Sequence, residues 1–253
     1  MYTIFDSHAH YNDRRFDEDR ETVLQTLPTQ GVTAVLNCGT TLDSSEICLR
    51  MAEQWDYVYA ACGVHPHEAQ QEADKIETLP SLLKHPKCVA VGEIGLDYHY
   101  DFSPRDIQQQ VFERQLQIAK EADLPVVIHD REAHEDTMRL LKQYKPKGVV
   151  HCFSGSAEMA KEVVKLGMYI GFGGALTFKG AKKPLEAAAV VPKELLLTET
   201  DCPYMAPVPH RGKRCDSSMI PLSAAVIAEI WSCTVEEVLE ITTQNAKRLF
   251  FAE

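Results

Sequence analysis

Residues 148–174 read GVVHCFSGSAEMAKEVVKLGMYIGFGG. An apolar run, a polar loop, a helical pattern and a second apolar run follow one another. Ser156 stands at an N-cap, where its hydroxyl can accept from an otherwise free amide of the first helical turn. Ala160, Val163 and Val164 recur at helical spacing, and Gly167 suits the left-handed residue that ends a helix. The flanking runs, GVVHCF and MYIGFGG, are apolar almost throughout, as in parallel strands covered on both faces.

This unit recurs along the chain. Further strand candidates are YTIFDSH (2–8), VTAVLNCG (32–39), YVYAACGVH (57–65), CVAVGEIGLD (88–97), LPVVIHD (124–130) and LLLTETD (195–201). Helical patterns lie between them. Ile47, Cys48, Met51, Ala52 and Trp55 share one face. Residues 103–123 open with Ser103 as N-cap and Pro104 in the first helical position, and carry a stripe of Ile107, Val111, Ile118 and Ala122. Residues 234–250 begin with a capping box, Thr234 and Glu237, and put Val238, Leu239, Thr242, Ala246 and Leu249 on one side. Eight strands alternating with helices predict a (β/α)8 TIM-like barrel, one domain over residues 1–253. An open doubly wound sheet is the alternative.

The composition fits a globular core, with 45% hydrophobic and 25% charged residues among 253. A net charge of −11 excludes a broad, histone-like grip on nucleic acid, which rests on Lys and Arg meeting phosphates. A small cationic site remains open, because bound metal reverses the local sign. Eight cysteines are scattered without a C-x-x-C pair and read as small buried hydrophobes in a reducing compartment. No basic start leads into an apolar segment and no long apolar window occurs. A cytoplasmic monomer is expected, with no membrane and no protein partner.

A barrel of this kind keeps its chemistry at the C-terminal strand ends. There the sequence places His8 and His10, His65 and His67, Glu93 and Asp97, His129, His151, and Glu199 with Asp201. Seven of the ten histidines, counting His99, fall at or just past a strand end, whereas His85 and His134 read as surface residues. Residues i and i+2 of a strand share a face, so His8 and His10 can grip one ion, and Glu199 can pair with Asp201 in the same way. Imidazole with carboxylate suits zinc or manganese, and tolerates magnesium with added water. These ligands exceed the needs of one ion. Two ions sharing a carboxylate use them economically, in a pair suited to in-line displacement at phosphorus.

Taken together, FDSHAHYND, CGVHPHEA, VGEIGLDYH, PVVIHDREA, HCFSGS and TETDCPYMAPVPHRGKR resemble the TatD family of metal-dependent deoxyribonucleases, of the amidohydrolase superfamily. The resemblance runs from residue 4 to about residue 250. It implies two divalent cations (magnesium, manganese or zinc), the first held by His8, His10 and Asp201, the second by His129 and His151, with Glu93 bridging. Neither His8 nor His10 should touch the second ion. The resemblance also implies that Asp201 orients the attacking water or takes its proton. His65, Asp97 and Glu199 would line the substrate side or stand behind the ligands. Many amidase and phosphotriesterase relatives bridge their metals with a carboxylated lysine, and VAVGEIG has none. That favours the nuclease branch, with DNA as substrate, as single strands or frayed ends cut from the 3′ side. Hydrolysis of an ester, lactone or amide at the same site is the alternative. A barrel that only holds metal has no support in the sequence.

His210, Arg211, Lys213 and Arg214 form the densest basic cluster, just past the last strand. In an acidic chain it reads as a phosphate clamp, or else as a loop bracing the barrel rim. After Arg214 the sequence leaves the Asn-Glu-Pro continuation usual in the family.

Overall fold

The computed structural model describes residues 3–251. Its strands are β1 Ile4–Ala9, β2 Val32–Cys38, β3 Val58–Cys62, β4 Cys88–Asp97, β5 Val126–Arg131, β6 Gly148–Val150, β7 Tyr169–Phe172 and β8 Leu196–Thr198. Each pairs in parallel with the next, in chain order. A sequential order without reversal is a barrel, which excludes the doubly wound sheet. Tyr2, at the start of the first strand candidate, lies outside the described residues.

The helices are α1 Arg20–Thr26, α2 Leu42–Gln54, α3 Ala69–Glu72, α4 Leu79–Leu82, α5 Arg105–Glu121, α6 His134–Tyr144, α7 Ala157–Lys165, α8 Lys182–Ala188, α9 Ile220–Trp231 and α10 Val235–Phe250. Ser156 caps α7 by accepting from the Met159 amide, and Gly167 ends it at φ 79°. Thr234 and Glu237 close the capping box on α10. Two details differ from the sequence pattern. Ser103 does not cap α5; its hydroxyl donates to the His67 carbonyl and accepts from the Gln70 amide, tying the loop after β3 to the loop after β4. Ile47 and Ala122 face solvent, because α2 buries only Cys48, Met51 and Ala52 of the expected stripe and α5 ends at Glu121. Among the described residues no single helix is long and apolar enough to cross a membrane.

Phe5, Leu36, Ala61, Val89, Val127, Val149, Tyr169 and Leu197, one from each strand, make an apolar layer inside the barrel. Full burial stabilises the larger of these by roughly 1.5–3 kcal/mol each. The end of α10 closes this layer from below, with Phe250 and Phe251 5.9 and 5.6 Å from the Phe5 ring. Strand alternation carries the inward face two residues further, from Val127 to His129, Val149 to His151 and Leu197 to Glu199. A polar layer therefore sits directly on the apolar one.

The seam between β8 and β1 lacks a regular ladder. The backbone bonds there run from His10 N to Cys202 O (2.8 Å) and from Asp201 N to His8 O (2.9 Å). Beneath them, fully buried Asp6 accepts from the His8 and Thr200 amides and from the Thr200 and Ser217 hydroxyls. Ser217, just past the basic cluster, thus ties the segment after β8 to the seam. Asp6→Ala leaves several buried donors unpaired, at about 1–3 kcal/mol each. Urea unfolding should show a loss of about 3 kcal/mol or more; a loss under about 1 kcal/mol would contradict this role for Asp6.

Candidate metal centre

Four side-chain atoms converge above the seam. His8 Nε2 and His10 Nε2 lie 3.0 Å apart. Glu93 Oε2 lies 3.4 and 3.3 Å from them, and Asp201 Oδ1 3.7 and 3.5 Å. An ion with tetrahedral bonds of 2.0–2.2 Å sets its ligand atoms about 3.4 Å apart. The separations of both carboxylate oxygens from the two imidazole nitrogens are thus close to those between ligands of one ion.

The other Glu93 oxygen faces a second group. Oε1 lies 2.9 Å from His129 Nδ1 and 2.8 Å from His151 Nε2, and these nitrogens are 3.4 Å apart. His65 Nε2 approaches the same oxygen at 3.5 Å. The two halves adjoin more closely than the sequence reading had them. The His8 ring stacks on His151 at 3.7 Å, and His8, Glu93 and His151 could themselves hold an ion.

Partners behind the rings decide which nitrogen points inward. His10 Nδ1 meets the Cys38 carbonyl at 2.9 Å, so it donates there and frees the Nε2 lone pair. His129 Nε2 meets Asp97 Oδ2 at 3.1 Å, which turns Nδ1 toward Glu93. His65 is wired the opposite way. Its Nδ1 accepts the His67 amide at 3.1 Å, so its proton sits on the inward Nε2. His65 therefore offers the cavity a donor, not a ligand lone pair.

Burial alone would raise the Glu93 carboxyl, but His151, His65 and His8 outweigh it and hold it well below the usual range. Burial likewise opposes charge on His10 and His129, yet hydrogen bonds to carboxylates win and hold them protonated up to about 10 and about 9. A cation at the same point takes the place of those protons, so this donor set fits a divalent ion. Asp97, whose burial is outweighed by bonds from His129 and His67, also stays ionised.

The remaining candidates divide. Glu199 and Asp201 do not share a strand face, because β8 ends at Thr198 and Asp201 takes φ 58°. Asp201 turns to His8 and His10. Glu199 accepts the Cys152 amide at 2.5 Å behind His151, and burial pushes its carboxyl up to about 8. Gly171 makes room for it: a Cβ there would collide with the Glu199 carboxyl. His67 joins the site through Asp97 (3.0 Å), while His99 pairs with Glu132 and His85 with Glu53 at the surface. His134 bonds Asp130. In the basic loop, Arg211 stacks on Phe178 at 3.6 Å. Arg214 is committed elsewhere, to both oxygens of Asp19 (2.7 and 2.6 Å) and to the face of Phe16. It braces the rim and is no phosphate clamp. Neither His210 nor Arg211 makes a hydrogen bond or ion pair to the metal-centre side chains among the described residues.

The family model of TatD related DNases matches residues 5–251. The chain belongs to that family. It is 44% identical, over 98% of each chain, to an uncharacterized metal-dependent hydrolase, YabD, of Bacillus subtilis. It is 33% identical, again over 98% of each chain, to a protein of Erwinia tasmaniensis named 3′-5′ ssDNA/RNA exonuclease TatD. The crystal structure of YjjV, a TatD homologue from Escherichia coli, superposes with a TM-score of 0.92 at 33% identity, covering 99% of this chain and 98% of that one. The chain is accordingly a metal-dependent hydrolase of the TatD family.

Two residues that serve this TatD-family site escaped the sequence reading. Gln108 of α5 accepts the Asp97 amide (2.9 Å) and donates to the Asp97 carbonyl (3.1 Å). Gln115, two turns on, clasps both backbone groups of Val64 (2.7 and 3.0 Å), just before His65. The visible signal was polar residues on the buried face of an amphipathic helix. Asp97→Ala should weaken uptake of manganese by about 10–100-fold in chelator competition, since it frees the His129 ring. Arg214→Ala should leave uptake unchanged. Affinity should rise from pH 6 to pH 8, with protons released on binding. Affinity insensitive to both Asp97 and pH would contradict this wiring.

Proposed function

We propose that the chain is a deoxyribonuclease that hydrolyses phosphodiester bonds of single-stranded DNA or frayed ends, from the 3′ side. The observation that carries the reading is the division of one buried carboxylate. Glu93 turns one oxygen to His8 and His10 and the other to His129 and His151. That division supports two divalent cations, which when bound act as Lewis acids and bring water within reach of deprotonation near neutral pH. The name of the Erwinia relative supports a nucleic acid strand as substrate.

The side chains then have separable tasks. Glu93 and Asp201 carry two negative charges against four from the ions, so the centre attracts an anionic phosphate although the chain is acidic. Asp201 is the more open of the two carboxylates, 21% exposed against 4% for Glu93. Burial would raise its carboxyl, but the His10 bond and neighbouring imidazoles hold it low, so it is ionised and able to accept the proton of the attacking water. His65, kept neutral by burial, holds its N–H on the cavity side, 3.5 Å from Glu93 Oε1, and is assigned here to donate to a phosphate oxygen of the bound strand.

The test is cleavage of single strands labelled at either end, with magnesium, manganese or zinc restored after chelation. The wild type should shorten the strand from its 3′ end. Glu93→Gln should lose at least about a thousand-fold in rate while its circular dichroism stays unchanged. His65→Ala should lose about a hundred-fold with metal uptake intact. Undiminished cleavage by Glu93→Gln would overturn the assignment. Lactone opening by a wild type that leaves DNA uncut would favour the ester alternative.

A further inference from the structure

Beside this centre, the loop after β4 turns two aromatic rings outward. Tyr100 is 47% exposed and Phe102 66%. Their rings stack on each other, with centroids 5.2 Å apart and planes 16° from parallel. The pair is firmly held. Asp97 Oδ1 accepts the amides of His99 and Tyr100, both at 3.0 Å, and Arg105 grips Asp101 through two bonds. The pair is also close to the chemistry. The His67 ring meets Tyr100 and Phe102 edge-on at 5.4 and 4.8 Å, and its Nε2 bonds Asp97, which in turn holds His129. On the side toward β5, the exposed Arg131 lies over the Tyr100 ring at 4.7 Å.

We infer that Tyr100 and Phe102 form a stacking platform for an unpaired nucleobase of the substrate strand, next to the phosphate at the metal centre. The inference rests on the nuclease reading above and adds what grips the strand. A stacked aromatic pair extends naturally by one more ring, and any base has a face to offer. Arg131 adds a cation for the neighbouring phosphate. A chain of net charge −11 has little general attraction for nucleic acid, so its grip must come from such local contacts. A base inside a duplex has both faces covered, so the platform favours single strands and frayed ends. The basic loop around Arg211 lies near β8, across the barrel mouth from β4 and β5. A strand spanning the mouth would meet cations at one side and rings at the other.

The experiment compares cleavage of a single-stranded oligonucleotide with a series in which one nucleotide near the 3′ end is abasic. At one position the missing base should lower kcat/KM by about ten-fold for the wild type. In Phe102→Ala and Tyr100→Ala that ratio should fall toward one, while Phe102→Trp should keep it. Both rings are exposed, and thermal melting of each variant confirms that the fold persists. A ratio retained in both alanine variants, or a wild type that cuts intact and abasic strands equally, overturns the platform and leaves the nuclease standing. A wild type that cuts no strand at all overturns the nuclease, and the platform with it.

Discussion

Glu93 is a carboxylate buried to 3% exposure, and a buried charge persists only where paired groups compensate its lost hydration. Five imidazoles do so, those of His8, His10, His65, His129 and His151. They come from β1, the loop after β3, β5 and the end of β6. A parallel barrel is the architecture that brings such distant segments to one point, because every strand ends on the same rim. β4 is the longest strand, ten residues buried throughout, and it lifts Glu93 into the middle of that ring. The Asp6 seam brings Asp201 to the same place by fixing β1 against the segment after β8.

The imidazoles are not interchangeable. A carbonyl behind His10 and a carboxylate behind His129 point lone pairs inward, whereas an amide behind His65 points a proton inward. One residue type thus offers the cavity either a lone pair fit for a cation or a hydrogen-bond donor, and the choice is made by what lies on the far side of each ring. α5 supplies part of that support through Gln108 and Gln115, which anchor the backbone beside Asp97 and His65.

Much of this was legible in the sequence. The eight strands and the caps at Ser156 and Thr234 follow from local chemistry, with apolar runs and a hydroxyl before each helix. The side chains of the candidate centre could be listed because they are polar residues within or at the end of apolar runs, Glu93 inside β4 and the others at or past a strand end. Local pattern failed where tertiary contacts decided the outcome. Ser103 serves the neighbouring loop, not its own helix. Arg214 is drawn to Asp19, 195 residues away in the chain, and leaves the basic cluster. Glu199 and Asp201 diverge because the strand stops before them. The exposed Tyr100 and Phe102 carry no periodicity, so only their stacking in three dimensions marks them.

The central claim is that Glu93 joins two cations held by histidines from opposite halves of the barrel. Anomalous diffraction from crystals grown with manganese or zinc tests it most directly. The account predicts two peaks, one among His8, His10 and Asp201 and one beside His129 and His151, with one oxygen of Glu93 on each. A single peak, or a Glu93 carboxylate outside the coordination of both ions, would contradict it.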